Sequence, residues 1–216
     1  MTSDLQFEDN IALAPMTTLG VGGKARLMAR VQTAAEIQIA LEKAKAEELE
    51  VLVLGGGSNL LVSDQGVDAL VLVLQNQAIE CLERSEDAVL LKVGAGCVWD
   101  DFVEYCVENG YSGVECLSGI PGCMGAAPIQ NIGAYGQEAD QVIESVICVS
   151  KLDGKQSEYT REACGFGYRS SYFKKGHLRH EIVTHVILRL SLGPAAAPRY
   201  PELIRACGED CRDLRT

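Results

Sequence analysis

Apolar residues Ile37, Ala40, Leu41 and Ala44 recur at the helical interval, with charged Glu42, Lys43, Lys45, Glu47 and Glu48 on the other side. Thr33-Ala-Ala-Glu36 has the spacing of a capping box and marks where this helix starts. Then the period changes. Residues 51–54 and 69–74 are unbroken apolar runs, suited to strands buried on both faces. Glycines end the first run, so the pattern predicts a β/α unit with a glycine turn in its middle. Residues 88–93 predict a further strand, followed by Gly94-Ala-Gly96. A helix is predicted over about 98–108, with Val98, Phe102, Cys106 and Val107 facing inward and Asn109-Gly110 ending it. Residues 142–149 and 155–159 flank Leu152-Asp-Gly154, which is a hairpin signal. Residues 182–190 predict a strand containing Val183, His185, Ile187 and Arg189. Residues 193–198 read as a linker, and a helical stretch begins at Tyr200.

Composition narrows the function classes. The net charge of −11 argues against a nucleic-acid partner, which needs a basic face. No apolar run opens the chain, and none approaches the roughly 18 residues of a membrane span. The expectation is a cytoplasmic protein without a membrane partner. Its nine cysteines are single, with no CxxC pair, which suits reduced thiols used as small hydrophobes. Cys207 and Cys211 share helical spacing but have no histidine nearby. His177, His180 and His185 are spaced by three and five, and His185 sits in an apolar strand. No metal site is expected from either group, and Trp99 and Phe102 read as core.

Three segments hold candidate chemistry. The first is Gly55, Gly56, Gly57, Ser58 and Asn59, followed by Leu60. Glycines let a backbone turn several N–H groups toward an anion such as a pyrophosphate, and Ser58 and Asn59 add side-chain donors. The same residues also suit a plain tight turn, and they lack both the GxGxxG and the GK[ST] spacing. The second segment, 117–136, is small, apolar and uncharged. Its glycines and alanines suit a loop wrapped around a flat ring, with amides from Gln130 and Asn131 and an aromatic edge from Tyr135. A glycine-rich core crossover would look the same. The third, 165–174, sets Tyr168 and Arg169 among aromatics and serines. Arg is the natural fork for a carboxylate, and equally a surface residue stacked on rings.

In order and in combination, the three segments resemble the signatures of the UDP-N-acetylenolpyruvoylglucosamine reductase family. The matching residues are 55–61 (GGGSNLL), 120–138 (IPGCMGAAPIQNIGAYGQE) and 166–174 (FGYRSSYFK), with Thr17-Thr-Leu-Gly-Val-Gly-Gly-Lys24 as an opening match. The resemblance covers nearly the whole chain, and the middle motif is highly specific. It implies an α+β, two-subdomain FAD-binding fold of the vanillyl-alcohol oxidase / p-cresol methylhydroxylase type. Residues 1–75 and 76–193 would form the two subdomains, and 194–216 a linker and the start of a substrate domain. It further implies FAD as cofactor, NADPH as reductant and a UDP-sugar substrate whose enolpyruvyl group receives hydride, giving UDP-N-acetylmuramate for peptidoglycan synthesis. The glycine turn (Gly55 to Leu60) would hold the pyrophosphate. Pro121, Gly125, Ala126, Ile129, Gln130, Asn131, Gly133, Tyr135 and Gly136 would line the flavin. Arg169 matches the family's catalytic arginine, Tyr168 sits beside it, and Tyr200 resembles a tyrosine that folds over substrate.

The family's later Gly-Ser-Phe-Phe-Lys-Asn-Pro-like motif, whose serine donates a proton, and its late glutamate do not occur in these 216 residues. The sequence therefore also fits a flavin-binding module without complete catalysis. A flavin oxidase of the same superfamily is a third reading, but no histidine for a covalent flavin lies in the glycine loops. The pattern leaves the oligomeric state open. A face meant for a further domain would be exposed, which predicts self-association. Gel filtration at low and high concentration should show it, and a sharp monomer peak at both would count against it.

Overall fold

Two large sheets, a separate two-stranded hairpin and the helices packed on them make up the described chain, which in this computed structural model comprises residues 5–193 and 200–207. The expected linker at 194–198 and Cys211 lie outside those residues. The first sheet contains β1 (Phe7–Ala12), β2 (Lys24–Val31), β3 (Glu50–Leu54) and β4 (Val67–Leu74), in the order β1-β2-β4-β3. β1 runs antiparallel to β2, while β2 and β3 both run parallel to β4. Helix α1 (Ala34–Ala46) makes the crossover from β2 to β3. Its capping box is formed: the Thr33 side chain accepts from the Glu36 N–H, and the Glu36 carboxylate accepts from the Thr33 N–H. Such a cap contributes about 1 kcal/mol. Ile37, Ala40 and Ala44 are buried against Leu70 and Leu72 of β4, while Val71 faces a second cluster with Met28 and Leu54. β4 is thus apolar on both faces, which is why its sequence runs without alternation.

The second sheet is antiparallel. It contains β5 (Ile79–Arg84) and β6 (Ala88–Gly94), then, after helix α2 (Trp99–Glu108), the short β7 (Tyr111–Ser112). Next come α3 (Ala127–Gln130) and a small hairpin of β8 (Gly133–Ala134) and β9 (Gln137–Glu138). β10 (Ile143–Ser150) and β11 (Gln156–Thr160) form the expected hairpin. They are followed by α4 (Tyr172–Lys175), β12 (Glu181–Leu192) and α5 (Pro201–Cys207). The strand order is β11-β10-β12-β6-β5, with β7 at the end of β12. Trp99, Phe102, Val103 and Cys106 of α2 fill the largest core cluster together with residues of β6, β10 and β12. Val98 does not face inward as expected. It is the N-cap residue of α2 and is exposed, because the inward face begins one residue later at Trp99.

The sheets are tied together directly. The Asn76 side chain donates to the Thr184 carbonyl at 2.7 Å, Lys151 Nζ to the Val51 carbonyl at 2.9 Å and Gln38 Nε2 to the Gly154 carbonyl at 2.9 Å. Val149 and Ile182 of the second sheet are buried in the α1 cluster of the first. Burial also pushes thiols upward, Cys164 to about 12 and Cys97 to about 11, with Cys106 and Cys148 higher still. Cys81 alone among the seven described cysteine side chains is exposed. Since the thiolate is the reacting species, site-resolved alkylation at pH 8 should label Cys81 quickly. Cys106, Cys148 and Cys164 should react only after urea unfolds the chain, and early labelling of these three would contradict the packing.

Candidate functional site

The glycine turn lies at the C-terminal end of β3, and its three glycines answer to different demands. A Cβ on Gly57 would sit 2.0 Å from the Met16 carbonyl oxygen, and its φ of +65° lies in the left-handed region. A Cβ on Gly56 would come within 2.9 Å of Gly122 Cα. Both are therefore small for reasons of packing. Gly55 differs: the nearest atom to an added Cβ is Cys123 Cβ at 3.9 Å, so the glycine leaves space rather than avoiding a neighbour. Among the described residues, no backbone N–H from Gly55 to Asn59 donates to a backbone carbonyl. The Gly56 N–H points at the Cys123 sulfur. Successive N–H groups left open in a turn make a concavity suited to an anion. Ser58 Oγ donates to the Pro121 carbonyl at 3.3 Å, linking the turn to the middle loop, and Leu60 packs beneath it on the Leu54–Val71 cluster.

The middle loop lies against the segment after β6. Trp99 N donates to the Gly122 carbonyl (3.0 Å), Met124 N to Cys97 (2.8 Å) and Gly125 N to Ala95 (2.9 Å). Trp99 Nε1 reaches the Leu117 carbonyl at 3.0 Å. This placement closes a cavity of about 130 Å³ between the two sheets. Leu54 and Gly55 border it from β3 and the turn, Ala126 and Ile129 from the loop, and Ile182 and Val183 from β12. Of the residues expected to meet a cofactor, Gly55, Gly125, Ala126 and Ile129 are gathered here. Ala95, Cys123 and Glu181 also border it, and the sequence reading did not single them out. Burial holds the Cys123 thiol above its usual range, while the Gly56 N–H works in the opposite direction. The Glu181 carboxyl is also raised, first by burial, with the Tyr159 hydroxyl beside it as the main opposing influence. Among described buried side-chain oxygens and nitrogens, Glu181 Oε2 is the one without a hydrogen-bond partner.

Past Ile129 the loop becomes a bracket for Arg169. Asn131 is fully buried at φ +44°, and its amide is taken up inside the protein. Nδ2 donates to Glu138 (2.7 Å) and to the Gly167 carbonyl (3.0 Å), and Oδ1 accepts from the Asp140 N–H (3.0 Å). Its side chain is thus a brace between loop and turn, not the ligand-facing amide anticipated from sequence. Gln130 is half-buried. Tyr135 and Gly136, both at positive φ, form the tip of the β8–β9 hairpin, as a type I′ turn requires. They lie beside Tyr200, whose ring meets Tyr135 edge-on at 5.9 Å, and away from the cavity.

Arg169 sits at φ +51° in a tight turn closed by Gly167 and Ser170. Its guanidinium donates to the Gly133 carbonyl, and its own carbonyl accepts from Lys174 Nζ at 2.9 Å. Lys174 thereby ties the Arg169 turn to the helix α4 that follows it. Tyr168 beside it is 82% exposed. Ser171 is fully buried, donating to the Ile129 carbonyl at 2.6 Å and capping α4, so its hydroxyl is already committed. His185 is half-buried in β12, and its basicity is lowered by burial and by Lys92. Among the described residues no group of three His, Cys, Asp or Glu could hold a metal ion.

Known proteins share this arrangement. Residues 25–158 match the family described as FAD binding domain. A UDP-N-acetylenolpyruvoylglucosamine reductase from Pseudomonas aeruginosa is 42% identical over 187 residues, covering 87% of this chain and 55% of the relative. One from Cutibacterium acnes is 41% identical, covering 96% of this chain and 55% of the relative. The chain thus spans about half the length of the curated relatives it matches. The crystal structure of the Thermus caldophilus UDP-N-acetylenolpyruvylglucosamine reductase superposes with a TM-score of 0.73 at 35% identity, covering 88% of this chain and 64% of that one. p-Cresol methylhydroxylase shares the fold at 14% identity and a TM-score of 0.58, over 86% of this chain and 38% of that one. The two sheets, the seam between them and the sequence matches together place the chain in the FAD-binding domain family.

Proposed function

We propose that this chain is the FAD-binding part of a cytoplasmic, NADPH-dependent reductase that converts UDP-N-acetylglucosamine enolpyruvate to UDP-N-acetylmuramate for peptidoglycan synthesis. The observation that carries this reading is the open-donor turn after β3, facing the 120–136 loop across the seam cavity. The two sheets would be the FAD subdomains, residues 1–75 and 76–193, with 194–216 leading into a substrate domain. The residues present fit the cofactor on two counts. Gly55 leaves space that a Cβ would fill, and the turn offers a pyrophosphate backbone N–H groups that no backbone carbonyl takes up, with Gly56 alone engaged by the Cys123 sulfur.

When bound, the flavin supplies hydride chemistry, and the protein's share is binding, orientation and electrostatics. Arg169 is fixed at both its backbone and its guanidinium, with further N–H donors left for a carboxylate. A fixed cation at the substrate carboxylate would stabilise negative charge developing beside it. Neither Ser58 nor Ser171 is placed to give a proton to that charge, because each already donates within the protein. In this reading proton donation belongs to the substrate domain. Tyr168 in the Arg169 turn, and Tyr135 with Tyr200 against it at the β8–β9 tip, present exposed rings, suiting a surface that substrate and that domain would cover.

Added FAD should survive desalting as a structured visible band that NADPH bleaches. A colourless protein with native circular dichroism would overturn FAD binding by this chain. Gly55→Ala should weaken FAD at least tenfold with an unchanged urea midpoint. Gly57→Ala should lower that midpoint, by an amount equivalent to more than ~1 kcal/mol of unfolding free energy, since its left-handed φ penalises any side chain. Equal effects of the two substitutions would contradict the separate roles assigned to these glycines. FAD should also slow alkylation of Cys123, which borders the cavity, and leave Cys81 unaffected.

A further inference from the structure

The seam cavity ends on an acid whose carboxyl meets the Tyr159 hydroxyl and still has acceptor capacity to spare. Glu181 begins β12, borders the cavity and keeps one carboxylate oxygen buried without a partner. A buried carboxylate oxygen is an acceptor that solvent no longer satisfies. Leu54, Leu74, Ile129, Ile182 and Val183 make most of the remaining lining aliphatic, and Cys123 adds a thiol. That combination suits a flat heteroaromatic ring carrying one hydrogen-bond donor. It suits neither a phosphate, which the carboxylate would repel, nor a sugar, whose many hydroxyls would go unpaired. Gly55 borders the same cavity, so a ring lodged there continues into the open-donor turn where the diphosphate is expected.

We propose that Glu181 reads the nucleobase of the dinucleotide, accepting a hydrogen bond from the exocyclic amine of adenine in the seam cavity. The proposal rests on the FAD reading above and adds to it a residue and an orientation. The adenine lies at the β12 end of the seam, and the flavin extends past the turn toward Gly133 and Arg169. Specificity follows from the donor–acceptor pairing. A hypoxanthine ring places a carbonyl where adenine has its amine, and two acceptors would then face each other. Leaving a buried polar group unpaired discriminates more strongly than losing apolar contact does.

The test is a fluorescence-quenching titration of the full 216-residue chain with FAD and with flavin hypoxanthine dinucleotide. The two titrations are repeated on Glu181→Gln and Glu181→Ala. The wild-type chain should bind FAD at least tenfold more tightly than the hypoxanthine analogue. Glu181→Gln, whose amide can turn its oxygen to the adenine amine or its NH2 to the hypoxanthine carbonyl, should keep FAD affinity within a few-fold and lose most of that preference. In Glu181→Ala the preference should fall below threefold. Equal wild-type affinities for the two dinucleotides would overturn the proposal while leaving FAD binding intact. So would a full preference persisting in Glu181→Ala. A 2′-deoxyadenosine analogue that loses affinity in a Glu181-dependent way, with no discrimination at the base, would assign the carboxylate to the ribose and overturn it too. If the wild-type chain binds neither dinucleotide, the cofactor reading itself fails, and the role of Glu181 with it.

Discussion

The site depends on a strip of backbone pairing in which residues 122–125 lie along residues 95–99. The bonds between Gly125 and Ala95, Met124 and Cys97, and Trp99 and Gly122 hold an otherwise irregular loop as firmly as a strand. The pairing is close enough that a Cβ on Gly125 would approach Ala95 Cβ to 2.8 Å. Irregular backbone near a core must find partners for its polar groups, and here the partner is the segment leaving β6. Since β6 pairs with β12, and Ala95 N also donates to the Thr184 carbonyl, the loop inherits the position of the whole second sheet. The first sheet meets it through the glycine turn, where Gly56 packs on Gly122 and Ser58 reaches Pro121. The cavity exists because these two contacts hold the sheets together at one end of β3.

From that strip the order is carried outward by side chains. Asn131 reaches Glu138, Asp140 and Gly167 from one buried position, so the β8–β9 hairpin, the turn before β10 and the Arg169 turn share one brace. Three hydrogen bonds are close to the capacity of an amide side chain, which leaves Asn131 little freedom to face anything else. Arg169 is then held from both sides, by Gly133 through its guanidinium and by Lys174 through its carbonyl. Left-handed backbone at a non-glycine residue persists only where its surroundings fix it. Arg169, Asn131 and Tyr135 all adopt it within this bracket.

Much of the fold was legible in the sequence. The capping box at Thr33, the apolar runs of β3 and β4, the β10–β11 hairpin and β12 each combine a clear period with a clear boundary residue. β5 was not legible, because it is an edge strand whose residues after Ile79 are exposed, so no alternation marks it. β2 was hidden for another reason. Met28 is buried on the face opposite Leu27 and Ala29, and Arg26 and Arg30 interrupt the apolar pattern. Within the site, glycine spacing located the turn and the loop but could not say which glycine serves packing and which leaves room. Glu181 was invisible because an acid at the start of an apolar strand looks like an ordinary exposed boundary residue. Its significance depends on the β3 end and Ile129, which are distant in sequence and near only in the fold.

The position of β12 has a consequence for how the chain acquires its structure. This strand lies in the middle of the second sheet, between β10 and β6, yet it is the last of the sheet's strands in the sequence. On a ribosome, the β5–β6 and β10–β11 pairs emerge first, each with an apolar edge and no neighbour. They wait for residues 181–192 to be synthesised before the sheet can close. At roughly 5–20 residues per second, that interval lasts seconds, long compared with the microseconds a hairpin needs to form. The strands of the first sheet are all synthesised by residue 74, yet Val149 and Ile182, which are buried in its α1 cluster, arrive only with the second sheet.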